Sequence, residues 1–294
     1  MTLRPLEPDL VYTSVGKWGL ELYISVLFLV QPLSLRLRKW FFVCKKRGDK
    51  CFFLFRSMKK YNLEVMDMKF SEEIRKEVDH IWEASFNHPF VAGIGDGTLP
   101  LECFRFYVMQ DAYYLSHFAR VQALGAVKAT DLHTTSRLAG HAQGTYEAEL
   151  KLHENFSERL GITKEEREDF KPAPTAYAYT SHMYRAAYSG HLGDVIAAIL
   201  PCYWLYYEIG VKLQGCMPEE PIYQEWIAAY GGEWFRTLVE EQIARLDEIA
   251  EKVTEEDKAR MKEHFILSSQ YEYSFWEMAY RLETWPVHKE TLEV

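Results

Sequence analysis

The segment PCYWLYYE, residues 201–208, combines a proline, a cysteine, four aromatic residues and a glutamate. In a helix, Cys202 and Tyr206 project from one face because they lie four residues apart. The pattern fits two structures: a buried aromatic helix with an inert thiol, or a nucleophile beside a flat aromatic pocket. Pro201 would free the backbone carbonyl of Ala197 and kink the helix, as often happens near functional sites. With no lysine or arginine within a turn of Cys202, a nucleophilic thiol would need a tyrosine hydroxyl or a carboxylate as its partner.

Two further apolar segments contain single acids. VMQDAYYL places Asp111 and Tyr114 on one helical face, and QYEYSFW places Glu272 beside Phe275 and Trp276. Burying a carboxylate costs free energy unless the group is paired or protonated. Each acid alone could bridge helices or face solvent. Two acids among aromatic residues together favour a site for a polar, planar ligand.

Metal and phosphate sites find less support in the sequence. Glu77 and His80 form one ExxH pair, whereas helical di-iron sites use two such pairs and two more glutamates. His182 is more typical of a core or surface histidine than of a ligand. GIGDGTLP, residues 93–100, has no strand before it, so a turn is a better interpretation than a phosphate loop. We therefore predict neither a metal nor a cofactor.

The composition is that of an acidic globular protein. The 294 residues are 48% hydrophobic and 26% charged, with a net charge of -9 and a pI of about 5.6, which excludes a basic surface for nucleic acid. The five cysteines show no zinc spacing, and a reduced, cytoplasmic setting fits them best. The apolar stretch Leu22 to Val30 is shorter than the roughly 20 residues that span a bilayer, so no membrane partner is expected.

From Met68 onward the hydrophobic period is helical and no run alternates as a half-buried strand would, which predicts an all-α domain over residues 68–294. The first helix is expected to follow Ser71 as its N-cap, and a second to begin at Pro100. One face of that second helix would hold Phe104, Tyr107, Asp111, Tyr114 and Phe118. Further helices are predicted at about 131–160, 175–189, 194–214, 233–250 and 258–285.

Residues 1–67 differ from the remainder of the chain. They hold 12 Lys and Arg against 6 Asp and Glu, a net charge of +6, whereas the remainder has a net charge of -15. We expect this N-terminal extension to be dispensable and to reflect a mis-assigned start, with the domain beginning near Met68. The alternative is a peripheral membrane anchor that uses Arg36, Arg38 and Lys39 at an anionic surface.

Residues 68–285 closely resemble the TenA family, thiaminase II, also called aminopyrimidine aminohydrolase. The matching segments are HPFVAGIGDGTLP, VMQDAYYLSHFARVQ, HAQGTYEAEL, PTAYAYTSHMY, LPCYWLYYEIG, AYGGEWF and SQYEYSFWEMAYR. The resemblance implies a haem-oxygenase-like helical bundle without haem, assembled as a homotetramer. It also implies hydrolysis of 4-amino-5-aminomethyl-2-methylpyrimidine to the 5-hydroxymethyl pyrimidine with release of ammonia, and cleavage of thiamine to the same pyrimidine and its thiazole, for thiamine salvage.

The resemblance also assigns roles to individual residues. It implies that Cys202 is the nucleophile, that Glu272 is the proton donor and that Tyr114 raises the nucleophilicity of the thiol. The positions expected to contact substrate are Asp111, Tyr206, Tyr230 and Tyr179. Two other functions remain open on this fold: a pyrimidine-binding or regulatory protein without turnover, and an oxidase using haem or a metal pair.

Overall fold

The computed structural model describes residues 42–47, 50–55 and 68–287, and the chain divides into two compact units, Met1–Asp67 and Met68–Val294. In the first unit, strands β1 (Phe42–Arg47) and β2 (Lys50–Phe55) form an antiparallel pair. The all-α prediction covered residues 68–294 and included no secondary structure for this first unit. The signal for the pair is Gly48-Asp49, a dipeptide typical of two-residue hairpin loops, between two apolar segments. The stretch Leu22 to Val30 and the residues of the expected anchor lie outside the described residues.

The second unit is a helical bundle. Over residues 68–287 the structure contains helices and no β-strand, which confirms the all-α prediction for this part of the chain. A π-helical turn at Thr145–Leu150 separates α5 from α6. The helices are α1 (Phe70–Glu77), α2 (Asp79–Phe86), α3 (Pro89–Asp96), α4 (Leu101–Lys128), α5 (Leu132–Gly144), α6 (Lys151–Arg159), α7 (Lys164–Glu168), α8 (Pro174–Ser189), α9 (Leu192–Lys212), α10 (Pro221–Tyr230), α11 (Glu233–Ala250) and α12 (Glu255–Arg281).

Helix α9 is the central element of the bundle. It packs against α4, α8, α10, α11 and α12. Its sequence is apolar on all sides, as expected of a helix that is buried on all sides. Among the described residues it is the one helix long and apolar enough to cross a membrane, but 72% of its apolar window is buried inside the protein. It is therefore best explained as a core helix.

The first turn of α9 is tied to α12 by a buried charge. Asp194 is fully buried, and its carboxylate accepts hydrogen bonds from Arg260 Nε at 2.9 Å and Nη2 at 3.1 Å. The same carboxylate accepts from the backbone N–H of His191, which caps the helix, at 2.7 Å. These bonds compensate the burial of the charge and fix the register of α9 against α12.

Several helix boundaries differ from the predicted ones. The N-cap of α1 is Lys69, and Ser71 instead lies inside the helix, where its Oγ donates to Asp247 Oδ2 at 2.9 Å. Pro100 is the N-cap of α4 and not its first residue. The segment Gly93–Asp96, predicted as a turn, ends α3, and only the residues after it form the turn.

Besides α3, two further elements were not predicted. The predicted continuous helix at about 131–160 is interrupted by the π-turn at Thr145–Leu150, and α10 (Pro221–Tyr230) was not predicted. A π-turn inserts one residue into a helix and leaves little trace in the hydrophobic period. Helix α10 is short, so its periodic signal is weak.

The end of α10 is held against α9 by a close backbone contact. A Cβ atom added to Gly210 would lie 2.4 Å from the backbone nitrogen of Gly231 and 2.5 Å from the carbonyl carbon of Tyr230. Only glycine at position 210 therefore allows this approach. The contact fixes the position from which Tyr230 extends toward α9.

Gly210→Ala is expected to destabilise the fold because its methyl group displaces the Tyr230–Gly231 backbone. The cost of such overpacking is about 1–3 kcal/mol, to be measured by urea unfolding. Gly140→Ala is the matched control, because a Cβ at Gly140 meets nothing within 4 Å. That control should stabilise helix α5 by about 0.5–1 kcal/mol. Equal effects of the two substitutions would contradict the close contact.

Candidate active site

A cavity of about 410 Å³ opens between α4, α5, α9, α10 and α11. Four of the seven predicted site residues line it: Asp111 from α4, Cys202 and Tyr206 from α9, and Tyr230 from α10. The volume is in the range of small-molecule sites. The other three predicted residues, Glu272, Tyr179 and Tyr114, pack around one another in the interior, as described next. The structure thus brings together side chains that are up to 161 positions apart in the sequence.

Glu272 is a buried carboxyl group on α12, with only 2% of the residue exposed. Tyr179 donates a hydrogen bond from its hydroxyl to Glu272 Oε1 at 2.5 Å. Burial, against the opposing effect of the Tyr179 hydrogen bond and with help from the negative charge of Asp111, raises the pKa of Glu272 to about 8. At neutral pH the carboxyl is therefore largely protonated and can act as an acid.

Tyr114 and Tyr179 form a buried pair, with ring centroids 4.9 Å apart. Burial raises the pKa of both phenols well above the ordinary value, and the charge of an ionised Cys202 would raise both further. Both hydroxyls accordingly stay protonated and remain hydrogen-bond donors. Their electrostatic interaction with Cys202 indicates that the pair lies close to the thiol.

Tyr206 lies in an aromatic box. Its ring centroid is 4.8 Å from that of Tyr230 and 5.0 Å from that of Trp276. Its hydroxyl is 3.3 Å from the hydroxyl of Tyr107, which also accepts from Trp226 Nε1 at 3.3 Å. Rings from α4, α9, α10 and α12 thus form flat apolar walls suited to a planar heterocycle.

Cys202 follows Pro201 inside α9 and is partly exposed, whereas Pro201 and Tyr203 on either side are buried. The turn before it contacts α12, because Ser268 Oγ donates to the carbonyl of Ala198 at 2.7 Å. The thiol therefore sits on the cavity wall in a helix that is attached to the element that holds Glu272.

A polar network on the cavity wall was missed by the sequence analysis. Its centre is the Tyr203 hydroxyl, which accepts from Gln122 Nε2 at 2.5 Å and lies 3.1 Å from His141 Nδ1. Thr145, in the π-turn, donates from Oγ1 to Gln122 Oε1 at 3.2 Å. Tyr203, His141 and Thr145 all line the cavity. Two members of the network, His141 and Thr145, belong to the segment HAQGTYEAEL, but its spacing indicates no role for either residue.

No group of three or more His, Cys, Asp or Glu side chains in the described residues could hold a metal ion. Glu77 and His80, the ExxH pair, are exposed, and Glu77 pairs with Lys262. His182 is buried against His264, with ring centroids 5.3 Å apart, and belongs to the core beside Tyr271.

The fold and cavity define a helical-bundle protein with a small-molecule cavity that is lined by a thiol, a carboxyl group and aromatic rings, and with a second, protonated carboxyl buried outside that lining. Residues 75–282 match the model of the TENA/THI-4/PQQC family, and the chain belongs to that family. It is 63% identical to the aminopyrimidine aminohydrolase of Bacillus subtilis over 218 residues, which are 74% of this chain and 92% of that protein.

Solved structures give the same result for the fold. A TenA homologue from P. horikoshii superposes with a TM-score of 0.68 at 30% identity, over 73% of this chain and 99% of the other. A domain from Shewanella denitrificans described as having a heme oxygenase-like fold superposes with a TM-score of 0.59 at 19% identity, over 71% and 91% of the two chains. The predicted haem-oxygenase-like architecture is therefore confirmed.

The protonation of Glu272 gives a testable link between pH and stability. The folded state keeps a proton up to about pH 8, which the unfolded chain releases near its ordinary pKa of 4.5. Stability from this group is thus complete below about pH 4.5 and is lost as the pH rises to about 8. Glu272→Gln should flatten the fall of Tm between pH 5 and 9.

The matched control is Glu263→Gln, because Glu263 is an exposed carboxylate on the same helix. It should leave the pH dependence of Tm as in the unmodified protein. If Glu272→Gln left that dependence unchanged as well, the carboxyl would not be the protonated acid described above.

Proposed function

We propose that the protein hydrolyses 4-amino-5-aminomethyl-2-methylpyrimidine to the 5-hydroxymethyl pyrimidine and ammonia, as an aminopyrimidine aminohydrolase. The observation on which this rests most is a buried carboxyl, Glu272, that holds its proton up to about pH 8 and lies near enough to Asp111 for that carboxylate to raise its pKa. Asp111 and the thiol of Cys202 line the same cavity. Membership of the family and the printed name of the B. subtilis relative support the same reaction.

The chemistry explains why an acid and a thiol are needed together. A neutral aminopyrimidine is a poor electrophile, but protonation of a ring nitrogen by Glu272 makes the adjacent ring carbon open to attack. The thiolate of Cys202 then forms a carbon–sulfur bond there, assisted by the hydroxyl of Tyr114. The electron pair released into the ring breaks the carbon–nitrogen bond at the 5-methylene, so that the protonated amine leaves as ammonia and an exocyclic alkene remains. Water adds to that alkene, the thiolate departs, and the ring proton returns to Glu272.

The remaining residues orient the ring. Asp111 is suited to accept from the 4-amino group of the substrate, which a carboxylate can do and an amide nitrogen cannot. Tyr206 and Tyr230 supply stacking surfaces, and Tyr179 holds Glu272 by its 2.5 Å hydrogen bond. This positioning reduces the entropy cost of bringing the thiol and the ring together.

The same site is proposed to cleave thiamine, since the thiazolium is attached at the same methylene carbon as the amine. The cellular role that follows is salvage of degraded thiamine in the cytoplasm, without nucleic acid or membrane as a partner. The acidic net charge of -9 supports the absence of a nucleic-acid partner.

We further propose that the protein is a homotetramer. Tyr177 and Tyr188 on α8 are 53% and 73% exposed, and Tyr188 stacks on Tyr184 at 6.0 Å between ring centroids. These tyrosines form an apolar stripe of the kind that interfaces use.

Sedimentation equilibrium should give four times the chain mass of 34.6 kDa for the full chain. A Tyr188→Glu variant should dissociate, and a monomeric unmodified protein would contradict the assembly.

Cys202→Ser is expected to abolish most release of ammonia from the aminomethyl pyrimidine but to leave pyrimidine affinity within about tenfold, because the thiol acts mainly in the transition state. The measurement is ammonia release together with calorimetric binding of the pyrimidine. Cys216→Ser is the matched control, since that partly buried thiol does not line the cavity.

Normal turnover by Cys202→Ser would rule out the covalent route. Binding of the pyrimidine by the unmodified protein without any product would instead support a non-catalytic binding protein. Specificity constants for the aminomethyl pyrimidine and for thiamine, measured side by side, identify the better substrate.

A further inference from the structure

The cavity has two chemically different halves. One half is formed by Asp111, Cys202 and the aromatic box, which the proposed function uses for the pyrimidine ring. The other half is formed by α5, the π-turn and α11, and includes Arg137, His141 and Trp234. A single substituted pyrimidine fills only part of about 410 Å³, so the second half is available to another reacting group.

The geometry of the pyrimidine ring indicates which reacting groups could occupy the second half of the cavity. In the pyrimidine, the 5-methylene lies between the 4-amino group and the ring carbon that is attacked. Asp111 and Cys202, the partners of those two positions, both line the cavity, whereas Glu272 and Tyr179 lie behind it. The 5-methylene therefore faces the cavity. The half near His141 is the part of the cavity that the ring leaves open for the departing amine and the incoming water.

His141 has the surroundings of a general base. It is buried, with 5% of the residue exposed, and its Nε2 lies 3.4 Å from Glu241 Oε2. Its Nδ1 is 3.1 Å from the Tyr203 hydroxyl and 3.3 Å from Gln242 Nε2. The arrangement is a carboxylate–imidazole–hydroxyl chain that ends on the cavity wall beside Cys202.

The charges facing His141 are those of Glu241, Arg137 and Arg245. Burial lowers the pKa of His141 below its ordinary 6.5, so the imidazole is neutral and able to accept a proton. A hydrogen bond from Arg137 lowers the pKa of Glu241 to about 2, so its carboxylate is charged and can stabilise an imidazolium.

We propose that His141, supported by Glu241, accepts the proton of the water that adds to the 5-methylene carbon after the amine has left. This inference rests on the proposed function. In the step, the water oxygen forms a bond to the methylene carbon and the exocyclic π pair returns to the ring. The water proton moves to the imidazole, directly or through the Tyr203 hydroxyl, and then to the ammonia already released, which becomes ammonium. No oxidant or cofactor is required.

The test separates loss of the amine from addition of water. In His141→Gln, steady-state formation of the hydroxymethyl pyrimidine should fall about 100-fold, the size of a general-base contribution. Ammonia should still appear rapidly, as a burst of one equivalent per site, because amine loss does not need His141. Azide, which adds without losing a proton, should restore turnover in the variant and yield the azidomethyl pyrimidine.

His133→Gln is the matched control, because His133 is an exposed histidine on the same helix and should behave as the unmodified protein. His141→Asn is measured in parallel, so that the test does not depend on the folding of a single variant. The Tm of both variants shows whether each is folded. A variant without an ammonia burst, or with no response to azide, would overturn the role of His141. Failure of the unmodified protein to release ammonia would instead refute the proposed function itself.

Discussion

The burial of one carboxyl group, Glu272, is the constraint on which the site depends. Burial among tyrosines and tryptophans is costly for a charged carboxylate but not for a neutral acid that is hydrogen-bonded, as Glu272 is to Tyr179 at 2.5 Å. The environment thus sets the pKa of Glu272 at about 8. Tyr206, one of the aromatic residues proposed to hold the substrate, interacts electrostatically with this carboxyl, so the acid lies near the proposed position of the ring.

Helix α9 joins this acid to the thiol. The helix is surrounded by five others, and its start is fixed to α12 by the Asp194–Arg260 pair. The hydrogen bond of Ser268 to the carbonyl of Ala198 makes a second connection, one turn before Cys202. Since Ser268 and Glu272 are one turn apart on α12, the two reactive groups are positioned by neighbouring turns of two packed helices. A rigid pair of helices is a better support for such geometry than a loop.

The helical class could be predicted from hydrophobic periodicity, and Asp111, Tyr114, Cys202, Tyr206 and Glu272 could be singled out as polar groups in apolar helical segments. Tyr179, Tyr230 and the role of each residue came from the family resemblance alone, and those roles stay predictions. The face of α4 with Tyr107, Asp111 and Tyr114 could be read directly from spacing. The helical hydrophobic period could not predict three other elements: the hairpin of β1 and β2, the π-turn and the short helix α10. The His141 network was missed for a related reason: its members come from α4, α5, α9 and the π-turn, and only tertiary packing brings them together.

The two polar systems of the cavity are adapted to opposite proton transfers. Glu272 has no cationic partner among the groups that set its pKa, so it keeps its proton and can donate it. His141 faces Glu241, whose charge is maintained by Arg137, so it can accept a proton and hold the resulting cation. The proposed reaction needs two proton transfers at different points of the substrate. One group donates a proton to the ring nitrogen, and another accepts a proton from the water that adds to the methylene carbon. Glu272 is hydrogen-bonded to Tyr179, whereas His141 contacts Glu241, Tyr203 and Gln242. These separate partners keep the acid and the base from neutralising each other, because a base in direct contact with Glu272 would take its proton before the substrate could.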